Sequence, residues 1–268
     1  MQTPIAISVV FPAYNEENRL APTIREAAAY FRDRGIAFEL IAVDDGSKDG
    51  TSPLVRELSG SEIPELRLIR LPANRGKGYA VRAGVVNARG RLVLFADSDG
   101  ATPMIELARL EAALAAGADI AIGSRAVAAE DVAVRVKVYR RIIGRTFHAL
   151  VSWLAVKGIN DTQCGFKLFK ADVAQDLFSR MRINGFSFDV EVLLMAKLRG
   201  HRVSEVPVNW THQPGSRVNL VTDSLRMARD LFIIRAYALR GTYDHPHVRP
   251  LTESAPAWPA VRVASVDL

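Results

Sequence analysis

Cysteine is all but missing: Cys164 stands alone among 268 residues, so no internal disulfide can close and no four-thiolate zinc site can form. A lone thiol suits a reducing compartment. Long hydrophobic runs are missing as well. A membrane-spanning helix needs about eighteen apolar residues with few charges, and the best stretch, Ile142 to Val156, is shorter and carries Arg145 and His148. No secretory signal opens the chain, because Met1 to Phe11 has no basic segment and runs directly into a strand-like apolar stretch. Internal repeats are absent too.

What remains is an ordinary globular composition, 49% hydrophobic and 24% charged, which excludes disorder or a collagen-like chain for the bulk of it. At roughly 150 residues per domain the length lies between one large domain and two small ones. The net charge of +6 predicts attraction to anions such as nucleotides, phospholipid headgroups or nucleic acid, without choosing among them.

Short β-branched runs alternate with helical patterns along the first half. Ile5–Phe11, Leu40–Val43, Leu66–Leu71, Leu92–Ala96 and Ile120–Gly123 read as strands; stretches around Leu20–Phe31, Ser52–Leu58, Tyr79–Asn87 and Ile105–Ala115 read as helices. Nearly continuous apolar strands separated by helices indicate βαβ units and a parallel sheet covered on both faces, an α/β nucleotide-binding architecture. From about Ala126 the alternation is lost. Val132 to Lys157 is a basic and apolar stretch, Asp161–Phe169 reads as a loop entering a strand, and Leu225–Leu239 is again helical. Beyond Gly241 four prolines argue for an extended or disordered tail.

Ligands of open α/β sheets bind beyond the carboxyl ends of the strands, and those ends are unusually polar here. Pro12, Ala13, Tyr14, Asn15 and Glu16 follow the first strand; Asp44, Asp45, Gly46 and Ser47 close the second; Asp97, Ser98 and Asp99 follow the fourth. Asn74-Arg75-Gly76-Lys77-Gly78 opens a helix. Any one of these junctions is also a good helix cap or turn. Asp-x-Asp is harder to explain that way, since two carboxylates at a strand end repel unless a cation lies between them. A hard divalent ion bridging them to a diphosphate is the natural solution.

Together, Val9-Val10-Phe11-Pro12-Ala13-Tyr14-Asn15-Glu16, Val43-Asp44-Asp45-Gly46-Ser47-Lys48-Asp49-Gly50-Thr51, the Asn74–Gly78 loop and Asp97-Ser98-Asp99 resemble the inverting GT-A glycosyltransferases that use nucleotide-sugar donors. In the second half, Asp161-Thr162-Gln163-Cys164-Gly165-Phe166-Lys167-Leu168-Phe169, Phe188-Asp189-Val190-Glu191, Glu205–Trp210 and Pro214–Val218 narrow the resemblance to the dolichyl-phosphate β-glucosyltransferases. That family moves glucose from UDP-glucose onto a polyprenyl monophosphate. Its eukaryotic members carry an N-terminal membrane anchor that this sequence lacks, and their metal motif usually has Ala where Ser98 stands.

The resemblance implies a GT-A, Rossmann-like, mostly parallel sheet flanked by helices, with amphipathic helices toward the C-terminus. It divides residues 1–241 into a nucleotide-sugar half (1–125) and an acceptor half (126–241), with 242–268 as the tail. Pro12, Tyr14, Asn15, Glu16, Asp44, Asp45, Gly46, Lys77 and Ser98 would meet the nucleotide sugar, with Asp44 accepting the uracil N3–H and Lys77 reaching a diphosphate oxygen. Asp97 and Asp99 would hold Mg²⁺ or Mn²⁺, which neutralises the leaving diphosphate. Arg125, Arg140, Arg141 and Gln163 would receive the acceptor phosphate, and Asp161 would orient the acceptor or act as a base. A phosphate monoester is already largely dianionic at neutral pH, so cations matter more to it than a base. Asp189 and Glu191 read equally well as structural or catalytic, and Cys164 as a packed residue rather than a nucleophile.

The expected setting is the cytoplasmic face of a membrane, touched peripherally through arginines and the aromatics Phe147, Trp153, Phe232 and Tyr237. Other readings stay open: transfer from GDP-mannose or another nucleotide sugar, transfer to a soluble acceptor, or a nucleotide-binding regulator without turnover. No nucleic-acid-binding module is present, and no nucleic acid is expected as a partner.

Overall fold

The computed structural model of the chain describes residues 4–127, 129, 132, 134, 135, 156, 158–213 and 220–245. The first half forms as its periodicity requires: β1 (Ile7–Ala13), α1 (Leu20–Asp33), β2 (Phe38–Asp44), α2 (Thr51–Ser61), β3 (Leu66–Arg70), α3 (Lys77–Val86), β4 (Leu92–Ala96), α4 (Leu107–Ala115) and β5 (Ile120–Ser124). Every residue of β1 and β2 is buried, the mark of strands covered on both faces. One face packs Val9, Phe11, Leu40 and Ala42 against Ile24, Val55 and Leu110 of α1, α2 and α4. The other packs Val10, Ile41, Val43 and Phe95 against Val81 and Val85 of α3 and against helices of the second half.

Those later elements are β6 (Val134–Arg135), β7 (Phe166–Lys170), α5 (Ala171–Arg180), α6 (Phe188–Leu198), β8 (Val203–Pro207), β9 (Trp210–Thr211) and α7 (Leu220–Leu239). The main sheet has seven strands in the order β3-β2-β1-β4-β7-β5-β8. β1 pairs parallel with β2 and β4, as does β5 with β8, while β7 runs antiparallel between β4 and β5. The sheet is thus mostly parallel, as the sequence implies, with one reversed strand. β6 and β9 form a separate parallel pair.

β1 is flanked by β2 on one side and β4 on the other, so the direction of winding reverses between β1 and β4. That is a topological switch point, where α/β sheets hold their ligands. The segments leaving it are Pro12–Glu16 and Asp97–Asp99. Past the expected boundary at Gly241, Tyr243 is still buried in the body of the domain; the expected tail from residue 246 onward lies outside the described residues.

Candidate active site

The strand-end loops are tied to one another before any ligand is considered. Asn15 adopts a φ of 54°; its backbone N–H donates to Ser47 Oγ at 2.8 Å, and its side-chain oxygen accepts from the Lys48 N–H at 2.9 Å. The Glu16 N–H donates to Thr51 Oγ1 at 2.8 Å. Gly46 sits at φ 71° against the backbone of the third loop, where a Cβ would come within 2.5 Å of the Ala73 carbonyl carbon. Glycine alone fits that crossing.

The two adjacent aspartates at the end of β2 face different ways. Asp44 is 1% exposed and accepts from the Ser47 N–H at 2.8 Å and from the Ser52 hydroxyl. It is not among the residues that line the cavity described below; in the geometry observed Asp44 fastens the loop to α2. Asp45 turns to the other side and accepts from the Arg75 and Gly76 N–H groups, both at 2.8 Å. Burial pushes its pKa up to about 6 in spite of those two bonds.

Asp97 and Asp99 follow β4. The Lys77 ammonium, at the start of α3, lies 2.6 Å from Asp97 Oδ1 and 5.2 Å from the centre of the Phe95 ring. The Asp97 N–H donates to the Gly165 carbonyl at 2.9 Å, and a Cβ on Gly165 would sit 2.1 Å from Asp97 Oδ2. The Asp161–Phe169 segment thus forms the floor under the acidic pair. Asp99 accepts from the Ala101 N–H at 3.1 Å, and its pKa is raised by burial and by neighbouring Asp97. The described residues contain no cluster of three or more His, Cys, Asp or Glu that could cage a metal. Two carboxylates crowded together at the edge of a cavity suit a divalent ion that takes its remaining ligands from phosphate oxygens and water, the habit of Mg²⁺ and Mn²⁺.

The rim encloses a cavity of about 750 Å³, within the range of small-molecule sites. Pro12, Tyr14, Glu16, Asp45, Lys77, Asp97, Ser98 and Asp99 line it together. Asn15 and Gly46 do not; they hold the loops together. Sequence reasoning passed over Arg19, which lines the cavity and pairs with Glu16 at 2.7 Å. It also missed the far part of the wall: Arg182, Asn184 and Gly185, and from α7 Arg226, Arg229, Asp230 and Ile233. Their signal in sequence was a basic helix with one polar side, which any solvated helix shows.

Glu191 of α6 anchors that wall. Fully buried, it accepts from the Arg182 N–H at 3.0 Å, the Ile183 N–H at 2.8 Å and the Tyr243 hydroxyl at 2.9 Å. Burial lifts its pKa to about 7. Asp189 forms a buried ion pair with Lys167, so both acidic residues of this motif serve structure in the geometry observed.

Asp161 and Arg125 form a forked pair, Nε to Oδ2 at 2.7 Å and Nη2 to Oδ1 at 2.9 Å. Burial alone would raise the Asp161 pKa; the Arg125 guanidinium reverses this and brings it to about 2. A carboxylate so firmly ionised is a poor proton acceptor, which favours orientation over base catalysis. Glu205 holds the pair in place, accepting from the Asp161 N–H and the Ser124 hydroxyl, both at 2.7 Å. Gln163 donates its N–H to Asp161 Oδ1 at 3.1 Å. None of Arg125, Asp161 and Gln163 lines the cavity; Arg125 lies 5.3 Å from the ring of Trp210, which does. Arg140 and Arg141 lie outside the described residues. The Cys164 thiol is fully buried, its pKa pushed up to about 12 by desolvation, and it is no nucleophile.

The chain resembles known proteins in sequence and in fold. Residues 8–178 match glycosyl transferase family 2. Over 259 residues the chain is 40% identical to the human dolichyl-phosphate β-glucosyltransferase, covering 91% of this chain and 79% of that protein. The Saccharomyces cerevisiae dolichyl-phosphate β-glucosyltransferase is 35% identical, with 89% and 77% covered. Among solved structures, glucosyl-3-phosphoglycerate synthase from Mycobacterium tuberculosis in complex with Mn²⁺, UDP-glucose and phosphoglyceric acid superposes with a TM-score of 0.62 at 19% identity, covering 90% of this chain and 80% of that one. Mannosyl-3-phosphoglycerate synthase from Rubrobacter xylanophilus gives 0.60 at 18%, covering 94% and 79%. The latter two establish the fold. With its sheet, its strand-end motifs and its sequence in agreement, the chain belongs to glycosyl transferase family 2 and is similar over most of its length to dolichyl-phosphate β-glucosyltransferases of that family.

Proposed function

We propose that this glycosyltransferase moves glucose from UDP-glucose onto dolichyl phosphate or a related polyprenyl monophosphate, with inversion at the sugar carbon. The observation that carries the reading is the Asp97, Asp99 and Lys77 cluster on a 750 Å³ cavity at the switch point, in a chain 40% identical to a dolichyl-phosphate β-glucosyltransferase. An acceptor phosphate oxygen forms a bond to C1 of glucose as the bond from C1 to the diphosphate breaks, and UDP departs with that electron pair. Because the acceptor is already anionic, no strong base is needed at the reacting centre. This agrees with an Asp161 locked in its ion pair.

Asp97 and Asp99 would hold Mg²⁺ or Mn²⁺, which when bound supplies charge neutralisation of the leaving diphosphate. Lys77 adds a second positive charge beside the same diphosphate, at a helix N-terminus that itself favours anions. Asp45 fixes the Arg75–Gly76 backbone, and through it the start of α3. No helix of the described residues is long and apolar enough to cross a membrane. The acceptor of the proposed reaction is a membrane lipid, and the proposal includes peripheral contact with the cytoplasmic face of the membrane that holds it.

The test is a donor panel. UDP-glucose, UDP-galactose, UDP-N-acetylglucosamine and GDP-mannose, each radiolabelled, are offered with a polyprenyl phosphate, with and without a chelator. Lipid-extractable label from UDP-glucose alone, abolished by the chelator, is expected. Preference for GDP-mannose, or undiminished transfer in the chelator, overturns the donor and metal assignments respectively.

A further inference from the structure

We propose that Lys77 competes with the divalent ion for Asp97: its ammonium covers that carboxylate until a diphosphate draws it away, so that metal and nucleotide enter and leave the site together. The proposal rests on the diphosphate donor and divalent ion named above, and deepens that reading to the order in which they bind. Lys77 Nζ lies 2.6 Å from Asp97 Oδ1, the distance of a strong charge-assisted hydrogen bond. The other face of the carboxylate lies against Gly165, where an added Cβ would stand 2.1 Å from Oδ2 and 2.4 Å from Oδ1. A cation therefore reaches Asp97 from the side that the ammonium holds. An ammonium and a dication sharing that side would stand next to each other as like charges in a partly buried site, where screening is weak.

Lys77 has somewhere else to go. The backbone that carries it is clamped: the Gly76 N–H donates to Asp45 at 2.8 Å, the Tyr79 N–H donates to the Asn184 carbonyl at 3.2 Å, and a Cβ on Gly78 would stand 2.7 Å from Phe188 Cβ. The side chain itself is a flexible four-carbon stem, 22% exposed on the cavity wall. Exchange of partners is thus a rotation of one side chain with no loop moving. A diphosphate at the start of α3, where the helix N-terminus favours anions, offers the ammonium more negative charge than Asp97 does. Neighbouring cations are held in place, Arg19 by Glu16 at 2.7 Å and Lys167 by Asp189 in a buried pair. Linkage makes the effect reciprocal: what the diphosphate adds to metal affinity by removing Lys77, the metal adds to nucleotide affinity. As UDP departs, Lys77 returns to Asp97 and displaces the ion.

Free Mn²⁺ is counted by electron paramagnetic resonance while the protein is titrated alone, with uridine and with UDP, each corrected for the Mn²⁺ that UDP binds in solution. The wild type should hold Mn²⁺ weakly alone and with uridine, which has no phosphate, and at least about tenfold more tightly with UDP. Lys77→Met should bind Mn²⁺ about tenfold more tightly than the wild type when no nucleotide is present, and should gain less from UDP. Lys77→Arg keeps the charge and should behave as the wild type does. Asp97→Ala should lose Mn²⁺ in every arm, which assigns the ions counted to this pair. Thermal melts check each fold, and Lys77→Gln takes the place of Lys77→Met if that variant folds poorly. The nucleotide-free arm contains neither donor nor acceptor, so a transferase with another sugar or another acceptor would show the same gain. Equal Mn²⁺ affinity of the nucleotide-free wild type and Lys77→Met, or Mn²⁺ binding undiminished in Asp97→Ala, overturns the proposal.

Discussion

Gly165→Ala is a one-carbon change in a segment that never touches the cavity, and it should disable the acidic pair. A Cβ at this position would stand 2.1 Å from Asp97 Oδ2, 2.2 Å from Cγ and 2.4 Å from Oδ1, whereas an ordinary carbon–oxygen contact is about 3.3 Å or more. Something must yield by about 1 Å. The backbones are joined by the Asp97 N–H to Gly165 carbonyl bond of 2.9 Å, but the Asp97 side chain is about one-third exposed and can swing away. The fold should therefore lose no more than about 1–3 kcal/mol. The carboxylate, displaced by about an ångström, should cost about a hundredfold in turnover. Mn²⁺ titration followed by electron paramagnetic resonance in the presence of UDP, beside steady-state kinetics, reads both effects. Gly60→Ala, on an exposed turn of α2 with nothing within 4 Å of the added carbon, is the control and should be neutral or slightly stabilising. If Gly165→Ala binds Mn²⁺ and turns over like the wild type, the floor assigned to this segment is wrong.

Three further outcomes follow from the same geometry. Asp44→Asn should lower stability by about 1–3 kcal/mol, since the amide mispairs with the Ser47 N–H or Ser52 hydroxyl, with UDP affinity little changed; calorimetry showing the reverse would restore Asp44 to the uracil. Glu191 has its pKa raised to about 7, so its contribution to stability is complete below about pH 4.5 and is lost as pH rises through 7, by about 3 kcal/mol at 1.36 kcal/mol per unit. Glu191→Gln should flatten the slope of Tm against pH across that window, and an unchanged slope refutes the assignment. Asp161, its pKa lowered to about 2, contributes in the opposite sense: stability present above about pH 4 and lost as pH falls toward 2. Asp161→Asn strands a partly exposed Arg125 and should cost about 2–3 kcal/mol in urea unfolding at neutral pH, a deficit that shrinks in acid; equal stability at neutral pH would contradict it.

The sequence made the first half legible because its strands are buried on both faces, and buried strands punctuated by polar loops leave a periodicity that survives without tertiary information. Three features did not show. Whether Asp44 or Asp45 meets the cavity depends on strand parity: Ile41 and Val43 face the α3 side, Leu40 and Ala42 the α1 side, so Asp44 falls toward α2 and Asp45 toward the Arg75–Gly76 loop. Asp161–Phe169 reads as a loop entering a strand, but the antiparallel insertion of that strand, Phe166–Lys170, between β4 and β5 is a long-range pairing. The arginines of α7 look like a solvated face until the helix is seen to wall the cavity. The acidic pair, by contrast, was plain from chemistry, because two carboxylates placed side by side at a strand end call for a cation.

The central claim is transfer of glucose to a lipid phosphate, and one measurement tests it most directly. Purified protein is incubated with radiolabelled UDP-glucose, Mn²⁺ and dolichyl phosphate, the mixture is extracted into chloroform–methanol, and the anomeric configuration of the lipid product is read by NMR. The account predicts label in the organic phase as a β-glucosyl phosphate lipid, with one UDP released per glucose transferred. Label that stays in the aqueous phase with every polyprenyl phosphate offered, while a water-soluble phosphate is glucosylated efficiently, would contradict it.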